Sequence, residues 1–389
     1  MSFPEDFGGL VPASPADEIR WDAVSRLIGP ACFADMDKTP QNPAFHGEGS
    51  VLVHTRMVCR ELAGMPLFHR LDSGKRTALF LAAVLHDLGK VKTTRPENGI
   101  LVSPHHASSG SRMVRELLWR EFGLCGRPDL ISFRETVCSL VRWHMFPLRL
   151  MEREDAERKI RKIAAAGELA ADFSWSLLCA LAEADMRGRV ADDVAEGLER
   201  VELARMAAED AGCLDGPYRF ADGFTKRAWL SGRNVQPDQP LFDDSWGAVI
   251  MLSGLPGTGK DTWIRENCPG CPVVSLDDIR AELKTGPEEG QGRVVQLARE
   301  RARAYLRKRQ PFVWNATCLT EETRGKLTRL FGQYEARVRI VWLETDWNTR
   351  AERNRNRKNA VPEAVVDRML GMAVPPFPDE AQTVEWVCV

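Results

Sequence analysis

The 389-residue chain has no apolar run long enough to cross a bilayer; Thr77–Leu85, among the longest, breaks off well short of the roughly 20 residues a span requires. It also lacks an excess of either charge. With 53 Lys and Arg against 55 Asp and Glu, a globally basic nucleic-acid binder is excluded, though a local basic patch is not. Met1–Gly9 contains no basic stretch leading into an apolar core, so no secretory leader is expected. No disulfide framework is visible: the cysteines are scattered, mostly within apolar helical patterns (Cys59, Cys138, Cys179), a usage suited to a reducing cytoplasm. Cys268-Pro269-Gly270-Cys271 has metal-like spacing but no second pair nearby, and reads as a reduced loop. Internal repeats and low-complexity tracts are absent too. What remains is a soluble cytoplasmic protein too long for one ordinary core, so two domains are predicted.

The periodicity divides the chain. From Trp21 to Met206 it is helical, with Ser73 read as the N-cap of an apolar helix over Thr77–Leu88. Pro128 and Asp129 open another helix, and Ser174 precedes a third through Leu177, Leu181 and Met186. Cys213–Asp244, with Gly216-Pro217, Gly232, Pro237 and Pro240, has the composition of a connector. After Ser245, β-type runs (Ala248–Leu252, Pro272–Ser275, Pro311–Trp314, Val338–Leu343) alternate with helical stretches (Asp261–Asn267, Gly292–Lys308, Glu321–Tyr334). That alternation predicts a parallel sheet wrapped by helices. The expected architecture is an all-α domain over 1–212, a connector over 213–244 and an α/β domain over 245–389.

All seven histidines lie within His46–His144. His86 and Asp87 are adjacent in His86-Asp87-Leu88-Gly89-Lys90; together they can bind one divalent cation, or the carboxylate can bridge two. Lys90, one turn on and facing the same side, is placed to neutralise a phosphate oxygen. Alone, a His-Asp pair is as readily an exposed helix end. Here His54 precedes it, His106 and His144 follow, and Asp185 closes the series in Ala184-Asp185-Met186-Arg187-Gly188-Arg189.

The second half opens on a phosphate cradle. Gly254-Leu255-Pro256-Gly257-Thr258-Gly259-Lys260 follows the apolar Ala248–Leu252 and precedes a helical pattern. Gly254, Gly257 and Gly259 let backbone N–H groups converge on a triphosphate, while Lys260 reaches the outer phosphates. Asp261 stands where a Ser or Thr ordinarily meets Mg²⁺, with Thr262 next to it; either can fill that role. After the second strand, Asp277 can accept a proton from an incoming hydroxyl, and Arg280 can grip an acceptor's phosphate. Arg353 and Arg357, one turn apart behind Thr345 as N-cap, are expected to share a helical face and clamp transferring phosphates. Solvated charge is the plainer reading of that face.

The histidine series resembles the HD-domain phosphohydrolases over roughly Trp21 to Met206. His46-Gly47-Glu48-Gly49 and the Ala-Asp-x-x-Gly-Arg ending look most like the HD domains of RNA-processing nucleotidyltransferases. The resemblance implies that His54, His86, Asp87 and Asp185 ligate one metal, and that His106 and His144, with Asp87 bridging, hold a second. Imidazole with carboxylate favours Mn, Co, Ni, Fe or Zn. His46 would meet the phosphate or cap a turn; His105 would touch substrate or serve structure only.

The glycine loop with Trp263, Asp277-Asp278-x-Arg280, the arginines of Arg353–Arg357 and Ala360-Val361-Pro362 resemble the 5′-hydroxyl polynucleotide kinases of the phage end-healing type, over about Ala248 to Met372. This implies that Asp277 is the general base, Arg280 holds the phosphate beside the acceptor hydroxyl, and Arg353 and Arg357 bind ATP phosphates, with Asn315 and Thr317 beside the acceptor. An HD domain ahead of such a kinase is similar to the bacterial HD-Pnk end-healing enzymes. Those imply ATP, Mg²⁺, RNA or DNA ends as substrates, removal of 2′,3′-cyclic or 2′-phosphates, and a ligase acting downstream. Arg299, Arg301, Arg303, Arg307–Arg309, Arg337, Arg339 and Lys358 could line a polymer backbone. Two other readings compete: a nucleotidase joined to a small-molecule kinase, and a non-catalytic sensor.

Overall fold

The computed structural model describes residues 7, 9–285, 290–357 and 359–389; Lys358 and most of Met1–Gly9 lie outside the described residues. The chain forms two compact units, Met1–Leu124 with Asp129–Tyr218, and Cys125–Pro128 with Arg219–Val389.

The first unit is helical: α1 (Trp21–Ile28), α2 (Pro30–Lys38), α3 (Val51–Gly64), α4 (Pro66–Arg70), α5 (Ser73–Leu85), α6 (Lys90–Thr93), α7 (His106–Arg120), α8 (Pro128–Trp143), α9 (Ala156–Ala164), α10 (Trp175–Arg187) and α11 (Val194–Asp210). Between α6 and α7 it adds a small antiparallel hairpin, β1 (Arg95–Glu97) and β2 (Ile100–Val102), that the helical pattern does not announce. Its Asn98-Gly99 turn has φ of 52° and 79°, the left-handed pair a tight hairpin requires.

Helix α5 is buried without a break from Thr77 to Leu85, the mark of a helix packed on every side. Its N-cap is Asp72, whose carboxylate accepts from the Lys75 N–H at 2.9 Å, so Ser73 is the first helical residue rather than the cap. Ser174 does cap α10, accepting from the Leu177 N–H. Because α5 ends at Leu85, His86 and Asp87 leave its C-terminus within the core.

The second unit begins with α12 (Gly223–Leu230), a helix inside the stretch whose composition reads as connector. It continues through β3 (Ala248–Ser253), α13 (Lys260–Asn267), β4 (Val273–Ser275), α14 (Leu276–Leu283), α15 (Gln291–Arg307), β5 (Phe312–Asn315), α16 (Glu321–Gly332), β6 (Arg337–Glu344), α17 (Trp347–Arg355), α18 (Glu363–Leu370) and β7 (Thr383–Cys388). The five strands are all parallel in the order β4-β5-β3-β6-β7. Helices connect parallel strands, so the four β-runs read from sequence are in place; β7, half-buried along its length, is the one the pattern misses. Val249 and Met251 face one apolar layer with Phe312, Trp314, Val338 and Ile340; Leu252, Val313, Val341 and Leu343 face the other. β3 lies between β5 and β6, so its C-terminal end sits where the chain turns opposite ways to its neighbours, the place such sheets bind ligands. No described helix is long and apolar enough to cross a membrane.

Candidate functional site

Five helix ends in the first unit converge. His54 comes from the first turn of α3, His86 and Asp87 from just past α5, His106 from the start of α7, His144 from just past α8, and Asp185 from the last turn of α10. His54, His86 and His144 are fully buried, and Asp87 and Asp185 nearly so. His54 Nε2 lies 3.0 Å from Asp185 Oδ1, 3.3 Å from His86 Nε2 and 3.6 Å from Asp87 Oδ2. On the other side of the same carboxylate, His106 Nε2 and His144 Nε2 stand 3.5 and 3.9 Å from Asp87 Oδ1. One carboxyl group therefore faces two sets of imidazoles.

Three of the imidazoles are oriented by main-chain carbonyls just upstream. His86, His106 and His144 each donate Nδ1–H to the carbonyl three residues upstream, of Ala83, Ser103 and Val141, at 2.8, 2.9 and 2.7 Å. A carbonyl only accepts, so Nδ1 carries the proton and Nε2 presents a lone pair inward. Asp87 Oδ1, His106 Nε2 and His144 Nε2 are buried with no hydrogen-bond partner. Orphaned acceptors buried at such density are what a divalent cation would satisfy, and the mixed imidazole–carboxylate set suits a borderline transition metal. The sets His54–His86–Asp87 and Asp87–His106–His144 each gather their ligand atoms within 4.8 Å.

Electrostatics agree with that donor set at Asp87, Asp185, His106 and His144, whereas at His54 burial is outweighed by the Asp185 and Glu48 carboxylates, which raise the imidazole above its usual value. Burial opposes ionisation of Asp87, but Lys90 and the His86 and His106 imidazoles outweigh it and hold the carboxyl well below its usual range. Asp185 is held low in the same way against burial, chiefly by Arg189 and His54. Burial pushes His106 down, and with the neighbouring His86 and His106 rings takes His144 to about 3, which favours the neutral imidazole in both.

Lys90 is buried, 2.7 Å from Asp87 Oδ2, and donates to Gln41 Oε1 at 2.7 Å. It is thus engaged with the cage. His46 lies between Glu48 Oε1 (2.8 Å) and Lys90 Nζ (3.3 Å). His105, exposed at a φ of 56°, stands immediately before α7. Two contributors were not singled out from sequence. Glu48 Oε1 sits 2.9 Å from His54 Nδ1, behind the ring, and Arg189 grips Asp185 from Nε at 3.1 Å and from the terminal amine at 2.7 Å. Both stand inside the strings His46–Gly49 and Ala184–Arg189 that carry the HD resemblance, but those strings gave them no role of their own.

In the second unit the glycine loop lies between β3 and α13. Gly254, Gly257 and Gly259 have φ of 146°, 89° and 83°. A Cβ on Gly257 would stand 2.4 Å from the Arg350 carbonyl oxygen, so only glycine fits. Lys260 Nζ donates to the Gly254 and Leu255 carbonyls at 3.0 and 2.9 Å. Burial, then the nearby Arg357 guanidinium, push Lys260 down to about 8. Asp261 accepts from Asn315 Nδ2 at 2.7 Å, which links the β5 tip to the loop, while Thr262 Oγ1 accepts from Arg265 at 3.1 Å. The Thr317 carbonyl accepts from the Gly254 N–H at 2.9 Å.

Asp277, in the first turn of α14, is held by Arg280 at 2.8 Å and Arg357 at 3.3 Å. Arg353 donates to the Val389 carbonyl at 3.4 Å. Arg353 and Arg357 do not share a helical face: α17 ends at Arg355, and Arg357 lies beyond it. The cause is Asn354, whose buried amide donates to Val361 O at 2.7 Å and accepts from Val361 N at 3.1 Å, turning the chain back toward α18. The N-cap of α17 is Asp346, accepting from the Thr349 N–H, rather than Thr345.

A family model described as HD domain matches residues 50–170, and one described as AAA domain matches residues 249–376. The chain joins an HD domain to a P-loop kinase-like domain. A comparison with curated proteins finds no match. Asp185 lies past the matched part of the HD domain, yet the fold returns it to His54.

Proposed function

We propose that the chain is a bifunctional end-healing enzyme, whose HD domain removes 2′,3′-cyclic or 2′-phosphates from polynucleotide ends and whose kinase-like domain phosphorylates 5′-hydroxyl ends with ATP. The observation that carries the reading is the pairing, on one chain, of a buried imidazole–carboxylate cage with a glycine-loop site whose Asp277 lies against two arginines.

In the HD domain, His54, His86, Asp87 and Asp185 would hold one cation, and Asp87, His106 and His144 another. Bound cations supply Lewis-acid charge and a water acidic enough to attack an ester phosphorus. The protein's own part is orientation. Arg189 fixes the Asp185 carboxylate, Glu48 fixes the His54 ring, and Lys90 offsets the charge of Asp87.

In the kinase-like domain, Lys260 exchanges its two carbonyl partners for the outer phosphates of ATP, where its proton is stabilised. Asp261, steadied by Asn315, is the side chain that would meet Mg²⁺. Asp277 exchanges Arg280 and Arg357 for the acceptor hydroxyl, and the freed guanidiniums take phosphates. The hydroxyl oxygen bonds to the γ-phosphorus, the β–γ bridge breaks to release ADP, and the hydroxyl proton passes to Asp277. A ligase would act on the product ends.

The test is product mapping on an RNA carrying 5′-hydroxyl and 2′,3′-cyclic phosphate ends, incubated with ATP and divalent metal. The reading expects a 5′-phosphate and a free 2′,3′-diol. Phosphorylation of nucleosides but not of oligonucleotides would instead favour a small-molecule kinase, and turnover of neither end would leave the proposal without support.

A further inference from the structure

Helix α15 sorts the basic residues that the sequence offers as a group. Arg301 is tied to Glu282, and Arg309, just past the helix, to Glu335 at 3.2 Å. Arg299 and Arg303 are placed differently. They stand one turn apart and, with Gln291, Gly292, Val295 and Gln296, line a cavity of about 450 Å³ along one face of the helix. Among the described residues no carboxylate lies within ion-pair distance of either. Glu300, their neighbour in sequence, instead accepts from Gln296 at 3.1 Å. Like charges at i and i+4 disfavour a helix, and among the described residues no acid offsets them.

The cavity also begins at a telling place. Gln291 accepts from Arg280 at 3.0 Å, and Arg280 is the residue paired to Asp277. Asp277, Arg280 and Gln291 thus form a contact chain from the proposed base to the head of this helix face. Arg299 and Arg303 are about 6 Å apart along the axis, and Gln291 to Arg303 spans about 18 Å, room for several nucleotides of an unpaired strand.

We propose that Arg299 and Arg303 bind backbone phosphates of the acceptor strand downstream of its first nucleotide, making α15 a track that favours long single-stranded acceptors. This rests on the reading of the domain as a polynucleotide kinase.

The test compares a 5′-hydroxyl 12-mer with a nucleoside 3′-monophosphate as acceptors, across a salt series. In R299A/R303A, kcat/KM for the 12-mer is expected to fall about tenfold, mainly through KM, and its salt slope to drop by about 1 to 2, as the loss of two phosphate contacts implies. The short acceptor should be unchanged within about twofold. R299K/R303K should recover most of the salt slope, since a point charge still meets a phosphate; a purely structural role would give no such rescue. R301A/R309A, which removes the acid-paired arginines, should keep the preference for length. If wild type phosphorylates the 12-mer and R299A/R303A matches it in kcat/KM and salt slope, the track is wrong while the kinase reading stands. If wild type phosphorylates no oligonucleotide, both fall.

Discussion

His54, His86 and His144 are wholly buried, whereas Asp277 keeps 66% of its side-chain surface, and its partners Arg280 and Arg357 keep 26% and 33%. In the HD domain the imidazoles and carboxylates of the cage hang from helix ends inside the core, with His86, His106 and His144 oriented by carbonyls three residues back. In the kinase-like domain Asp277 sits in the turn after a strand tip, where carboxylate and guanidinium hold each other near the surface. The first centre is enclosed by its own side chains; on the proposed reading the second is completed by what binds. Burial explains the contrast, because an unpaired charge in the core is costly and must be matched by its neighbours, whereas a surface pair is weak and easily exchanged.

The largest effects should come from the pivot of each centre. Asp87→Ala is expected to lower phosphate-ester hydrolysis by about 10³-fold or more, since both imidazole sets lose their shared carboxylate, with 5′-phosphorylation unchanged within about twofold. Asp277→Ala should do the reverse, lowering kinase turnover by about 10²- to 10⁴-fold as expected for a lost general base. Parallel assays of the two activities on each purified variant decide this; a folded variant that lost both would break the comparison.

Next come the residues behind the cage. Arg189→Ala and Glu48→Gln should each weaken metal retention or hydrolysis by about 10- to 100-fold, the usual cost of removing an orienting partner. Metal content after dialysis, read beside activity, separates this from a general loss of stability. Wild-type metal content and activity in both variants would show that the cage orients itself.

The smallest effect concerns protons. Lys260 in the free enzyme titrates near 8, below the ordinary 10.5 of lysine, and a bound triphosphate favours its charged form. ATP binding therefore takes up a proton above pH 8 and weakens as pH rises. By calorimetry, the Kd for ATP at pH 9 should be about tenfold above that at pH 7, with a matching proton uptake. A flat profile would mean that phosphate binding does not depend on the charge of Lys260.

How much of this could be read from sequence follows the same division. The His54, His86-Asp87, His106, His144, Asp185 series was legible because chemistry of that kind is carried by residue type and order. The glycine loop was legible because its backbone demands glycine. Glu48 and Arg189 stand in strings that carry the resemblance, yet that they touch His54 and Asp185 is visible only once the fold brings the partners together. Asp72 and Asp346 displaced Ser73 and Thr345 as caps because both neighbours are acceptable cap types, and the local hydrogen bond alone decides between them. The shared face expected of Arg353 and Arg357 failed at Asn354, where a side-chain contact across seven residues ended a helix that local propensity would extend. Strand β7 escaped because a half-buried strand at the edge of a sheet alternates too weakly to stand out.

One glycine bears on which ion the proposed cage would select. A methyl group on Gly89 would stand 2.0 Å from the carbonyl oxygen of His106 and 2.6 Å from the Gly110 nitrogen. The backbone behind Asp87 is thereby wedged directly against the helix that bears one of the facing imidazoles. Main chain pressed on main chain has little give, so the gap between those two donors is a ruler of fixed length rather than an adjustable grip. Ions should be discriminated there by radius and preferred bond angle, with a poorly sized one excluded instead of being followed by the protein.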